Sequence, residues 1–118
     1  MLRIKRIYES PEETDGFRVL VDRLWPRGVS KEKAHLDLWL KEIAPSDTLR
    51  KWFGHDPKRW TGFIAKYRKE LTIRKDLVGQ IRKLEKDHGD VTLLYSAHDP
   101  DHNQAVALLR LLKGARSK

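Results

Sequence analysis

The feature that most restricts the fold is Val19-Leu20-Val21, an unbroken apolar run with two β-branched members, flanked by Arg18 and by Asp22-Arg23. Alternation would mark a strand with one wet face, whereas a continuous run marks a central strand covered on both faces. A strand is therefore expected over residues 17–24. It ends abruptly in Asp22-Arg23-Leu24-Trp25-Pro26-Arg27-Gly28, where charge, an indole, a proline and a glycine follow at once. A second junction of this kind, Leu93-Leu94-Tyr95-Ser96-Ala97-His98-Asp99-Pro100-Asp101-His102-Asn103, lies far down the chain. The two are expected to meet.

The remaining elements fall between and around these junctions. Ile4-Lys5-Arg6-Ile7-Tyr8 alternates apolar and basic residues, which suits a short strand near a sheet edge. The acidic, turn-rich segment from Glu9 to Gly16 is short for a helical crossover, so the direction of the first strand stays open. Ser30 can cap a helix running to about Ala44, with Leu36, Trp39, Leu40 and Ile43 at helical spacing. Ser46 or Asp47 caps a short helix closed by Gly54, and Asp56-Pro57 opens one that carries Trp60, Phe63, Ile64, Tyr67 and Leu71. A further helix presents Leu77, Ile81 and Leu84 inward. Val91 to Ser96 reads as a third strand. Asp99-Pro100 repeats the cap-and-proline device before a last helix ending at Gly114, leaving residues 115–118 as a basic tail. The pattern predicts one α/β domain over residues 1–114, a sandwich in which a small, mostly parallel sheet of about three to four strands is flanked by helices. Ligands of such sheets bind outside the carboxyl ends of the strands, where both junctions lie.

Composition narrows the function classes. Without cysteine among 118 residues, disulfides, thiolate nucleophiles and cysteine-ligated zinc are excluded. No apolar run approaches the ~20 residues of a membrane span, and no secretory signal follows Met1, so a cytoplasmic protein without membrane contact is expected. The net charge of +8 is uneven: between Lys51 and Lys86, 11 bases face 4 acids. Such a region attracts phosphates, nucleic acid or acidic partners, or is an ordinary solvated helix face.

With VDRLWPRG, LDLWLKEIAPSDTLRKWFGHDPKRW and VTLLYSAHDPDHNQAVAL, nearly the whole chain resembles the YeaO-like family, a small bacterial and archaeal group labelled a domain of unknown function. The resemblance implies a single α/β domain and imports no activity. Broader relatives of that family carry an Asp-Val-Arg version of the Asp22-Arg23 turn and a cysteine-rich version of the later junction. This chain keeps Asp22, Arg23 and Arg27 and has no cysteine between Tyr95 and Asn103, so thiol chemistry does not carry over.

Two constellations carry chemistry. Arg23 and Arg27 can grip a phosphate or carboxylate with a bidentate fork, with Gly28 allowing close backbone approach and Asp22 positioning the arginines. Structural pairing of Asp22 with Arg23 competes with that reading, and Trp25 is taken as a plug of the core. At the second junction Asp99 is read as a helix cap. His102 is the candidate general acid or base, and Ser96 the candidate nucleophile or turn hydroxyl. Asn103 can orient a ligand, and Tyr8 can add a phenol to the same rim. His98 and His102 are four apart, but His98 precedes the helix, so no metal site is expected, nor any cofactor. The leading expectation is an anionic, phosphate- or carboxylate-bearing small molecule bound at the strand ends, with acid–base or hydrolytic chemistry if the protein is an enzyme. The competing expectation is sequence-independent nucleic-acid binding through Lys66, Lys69, Arg74 and Arg82. An acidic protein partner is the third.

Overall fold

Four parallel strands make the sheet in the computed structural model of the chain, which describes residues 1–116. They are β1 (Leu2–Arg6), β2 (Phe17–Leu20), β3 (Leu38–Trp39) and β4 (Val91–Tyr95), in the order β1-β4-β2-β3. β4 pairs with β1 from Leu2↔Val91 to Arg6↔Tyr95, and with β2 from Phe17↔Val91 to Leu20↔Leu94. The direction left open by the sequence is thus parallel, and β1 does lie at an edge. The short linker suffices because β1 and β2 do not pair with each other: β4 lies between them. The helices are α1 (Lys31–Ala34), α2 (Asp47–Phe53), α3 (Trp60–Ile73), α4 (Lys75–His88) and α5 (Gln104–Arg116). This is the expected α/β sandwich.

The unbroken run behaves as expected. Val19, Leu20 and Val21 are fully buried, on opposite faces of the sheet. Val19 and Val21 join the larger core with Leu93, Phe53, Phe63, Tyr67, Ile81 and Leu108. Leu20 and Leu94 face the other way, into a smaller cluster with Ile7 and Ala34, overlain by Trp25 and Trp39. Each such side chain contributes about 1.5–3 kcal/mol by leaving water.

Between β2 and α2 the fold departs from the expected helix over 30–44. Ser30 does cap α1, accepting from Lys33 N at 3.1 Å, but the helix stops after four residues at His35, which is left-handed (φ 48°). Asp37 then takes the backbone of Arg18 from both sides: its amide donates to Arg18 O at 2.9 Å and its carboxylate accepts from Arg18 N at 2.8 Å. Leu38 and Trp39 become β3, paired with Val19 and Leu20. Arg18 itself is 4% exposed; it ion-pairs with Asp15 and donates to Ala34 O and His35 O at 3.0 and 3.1 Å. The strand bounds are also shorter than expected, and α5 continues past Gly114 to Arg116; residues 117–118 of the expected tail lie outside the described residues. No helix among the described residues is long and apolar enough to cross a membrane.

Candidate functional site

Val21 N donates to Leu94 O at 3.1 Å, the last bond that holds β2 against β4. Beyond it the two chains part, and Asp22 fills the gap. Asp22 is 7% exposed. Its Oδ2 accepts from Ser96 N at 3.0 Å and from Ser96 Oγ at 2.6 Å, while Oδ1 accepts from Gln104 Nε2. The Asp22 carbonyl takes the Trp39 indole N–H at 2.7 Å. One carboxylate therefore joins the ends of β2 and β4 to the first residue of α5. Burial pushes its pKa above the ordinary carboxylate value, against the opposing pull of the two Ser96 hydrogen bonds. The two junctions meet, as the sequence implied.

Above this knot lies a cavity of about 590 Å³. Its buried lining includes Asp22, Asn103, Phe53 and Phe63, and Arg27, Arg50, His55 and His98 are its exposed cationic or imidazole members. α2 supplies Arg50 because Ser46 caps it, accepting from Leu49 N at 3.1 Å, and Gly54 closes it in the left-handed conformation (φ 53°). His55 follows, also left-handed (φ 57°), which holds the ring-bearing residue out at the mouth. His98 is fixed from β1. Arg6 Nε donates to Ala97 O at 3.0 Å, and Arg6 Nη2 lies 3.1 Å from His98 Nδ1. A guanidinium only donates, so Nδ1 accepts and the ring proton sits on Nε2.

The arginines predicted to act together are separated. Arg23 lines the cavity but donates to Ala44 O and Pro45 O at 3.1 and 3.2 Å, which docks the segment before α2 and replaces the expected pairing with Asp22. Arg27 is exposed at the mouth, and its carbonyl accepts the Tyr8 hydroxyl at 2.7 Å. Gly28 (φ 78°) is the third residue of the turn closed by Val29 N on Pro26 O at 3.4 Å, a position that demands a left-handed residue. Neither Tyr8 nor Gly28 lines the cavity. Trp25 donates to Val29 O at 2.6 Å and packs edge-on to Trp39, so the indole belongs to the smaller core.

At the second junction the cap moves. Asn103, not Asp99, starts α5: its Oδ1 accepts from Val106 N at 3.0 Å and its Nδ2 donates to Asp99 O at 2.9 Å, so both ends of the amide are spent. Asp99 instead caps the preceding turn, accepting from Asp101 N and His102 N at 2.9 and 3.1 Å. His102 gives its Nδ1 to Asp99 Oδ2 at 2.9 Å, stands edge-on to Trp60 at 5.2 Å, and does not line the cavity. Ser96 does line it, with its hydroxyl proton on Asp22, and no histidine among the described residues hydrogen-bonds to it. Among the described residues no three of His, Asp or Glu converge to hold a metal ion.

Sequence reasoning missed Arg50 and Gln104. Gln104 follows directly on the junction that was singled out. Arg50 gave no signal, because nothing in the sequence says that α2 packs beside the strand ends.

The basic stretch is partly committed inward. Arg74 Nη1 donates to Ala44 O at 2.8 Å and Arg82 Nη2 to Leu112 O at 3.2 Å. Lys66 and Lys69 are exposed, and Lys66 Nζ lies 4.9 Å over the Trp52 ring.

Compared with known proteins, residues 1–118 match the family model described as "Inactive DUF488-N3 subclade". The uncharacterised protein YeaO of Escherichia coli is 39% identical over 112 residues, covering 95% of this chain and 96% of its own length. An uncharacterised protein of Mycobacterium tuberculosis is 37% identical over 113 residues, covering 96% of this chain and 94% of its own, and one of Mycobacterium bovis matches to the same extent. No solved structure matches the chain.

Proposed function

This chain belongs to the YeaO-like family, and we propose that it binds an anionic small molecule, phosphate- or carboxylate-bearing, at the carboxyl ends of its strands. The observation that carries this reading is the charge arrangement of the 590 Å³ cavity: Arg27, Arg50, His55 and His98 stand exposed at its mouth. The acids that line it are both occupied, Asp22 by Ser96 and Gln104, and Asp99 by His102 and two amides. The volume falls within the ~300–1,000 Å³ usual for small-molecule sites.

Binding without catalysis is the better form of this proposal. A serine needs a base to attack anything; Ser96 has a carboxylate that is already accepting its proton, and His102 stands against Trp60. The family description's word "inactive" is in keeping with that. The same proposal puts the protein in the cytoplasm, which suits a sequence without cysteine.

The test is thermal unfolding of wild type, Arg27→Ala and Arg50→Ala with inorganic phosphate, sugar phosphates and small carboxylates. A ligand at about 100 times its dissociation constant adds about 2.7 kcal/mol. The expected result is a wild-type shift that shrinks in both variants while their ligand-free midpoints stay within about 1 °C of wild type, as for exposed side chains. Equal shifts in all three proteins would remove the anion site from the strand ends.

A second reading, a phosphodiester backbone lying on the helices of residues 51–86, is favoured by their 11 bases against 4 acids. Lys66 and Lys69 are the residues available to it, since Arg74 and Arg82 serve backbone carbonyls.

A further inference from the structure

The cavity is chemically polarised along its depth, and the polarity says which way round a ligand enters. The mouth offers positive charge and the Nε2–H of His98. The floor is the reverse. Ser96 Oγ has spent its only proton on Asp22 and presents lone pairs. Gln104 has turned its Nε2 to Asp22, which leaves Oε1 as an acceptor. Asp22 Oδ1 holds one hydrogen bond where a carboxylate oxygen takes two. Against these three acceptors the floor has one spare donor, the second hydrogen of Gln104 Nε2, since the Asn103 amide is spent at both ends. Between floor and mouth stand flat apolar surfaces: Phe53 and Phe63, stacked on each other at 4.4 Å, with Pro45 opposite in the lining.

We propose that the ligand is a nucleoside monophosphate whose base carries an exocyclic amino group, bound with the base inward and the phosphate at the mouth. This rests on the anion reading of the same site and goes further by naming the other end of the ligand. An amino group gives two donors to the three floor oxygens, and the adjacent ring nitrogen accepts from Gln104. A base with a carbonyl in place of the amino group sets oxygen against oxygen, and a buried acceptor left unpaired is costly. A site built around such hydrogen bonds discriminates against the analogue that cannot make them. A free amino acid has the same polarity but no flat apolar body to cover the two phenylalanines.

The experiment is calorimetric titration of the full chain with two pairs that differ at the amino position, AMP against IMP and CMP against UMP. Adenosine and inorganic phosphate serve as the two half-ligands. We expect the amino member of each pair to bind at least ten-fold more tightly. The gap should close in Gln104→Ala, which removes the floor amide without burying a new charge. Arg50→Ala should weaken all four monophosphates alike and leave adenosine unchanged. Equal affinity within each pair, with Arg50→Ala still weakening all four, would overturn the base-inward orientation and leave the anion site standing. A gap that persists in Gln104→Ala overturns it too. No binding by any nucleotide or by phosphate would overturn both.

Discussion

Arg18 keeps its charge inside the protein because Asp15 meets it there, and Lys5 Nζ joins them at 3.1 Å from Asp15 Oδ1. Burial works against ionisation of Asp15, but the Glu12 amide and the two cations outweigh it and hold the carboxyl below its ordinary value. Its contribution to stability is therefore present above the ordinary Asp range and is lost as pH falls through the folded value. Asp22 has the opposite sign: burial raises it, so its contribution is complete at acid pH and is lost as pH rises through its folded value. Asp15→Ala strands a buried guanidinium and is expected to cost about 3–5 kcal/mol in urea unfolding at neutral pH. Between about pH 5 and pH 2 the variant should lose less stability than wild type, because the proton-linked part is already gone; a parallel loss would mean that Asp15 is not the titrating group. At this scale the sequence was legible where charge ends an apolar run, as at Asp22. It was not legible at Asp15, which sits in a Glu-rich loop that reads as an ordinary solvated turn, nor at Arg18, whose burial depends on carbonyls of Ala34 and His35 supplied by a later segment.

Among the elements, those with their own start and stop signals came through. Ser46 and Gly54 bound α2, and Asp56-Pro57 opens the turn before α3, with Asp56 accepting from Lys58 N at 3.0 Å. The 30–44 segment shows the limit of periodicity. Leu36, Trp39, Leu40 and Ile43 do face the interior, but β2 has an open edge, and Asp37 and Leu40 satisfy backbone groups of Arg18 and Leu20 that a helix would leave unpaired. Asp99-Pro100 misled for a related reason: Asp99 does cap, but caps a turn, and Asn103 four residues later has the geometry for α5. The entry to β2 carries a sharper test. Gly16 has φ 65°, and a Cβ there would stand 2.3 Å from the Asp90 carbonyl oxygen, the atom that accepts from Phe17 N. Left-handed strain and forced displacement of β4 together predict a loss of about 2–5 kcal/mol in Gly16→Ala, measured by denaturant unfolding. A change under about 1 kcal/mol would mean that the start of β4 can move aside.

For the molecule as a whole, charge is divided by position. Residues 1–50 hold 10 bases and 9 acids, while residues 51–118 hold 15 and 8. If the second reading is correct, binding to duplex DNA should weaken by ~0.9 log units per log of salt for each phosphate neutralised. Charge reversal at Lys66 and Lys69 should abolish it, while Arg27→Ala should leave it intact. A shallow slope, unaffected by the lysines, would return the basic helices to the role of solvated surface. The sheet order has a consequence in time as well as in space. β4 is central to the sheet yet the last strand to be made, about 70 residues after Val21. At ~5–20 residues per second, translation leaves β1 and β2 waiting roughly 4–14 s for the strand that joins them. During that interval Val19, Leu20 and Val21 have no neighbour in the sheet on the β4 side, and Asp22 has neither Ser96 nor Gln104 to hold. A nascent chain halted before Val91 is thus a client for chaperones and proteases, and slow codons in the α3–α4 region would prolong its exposure.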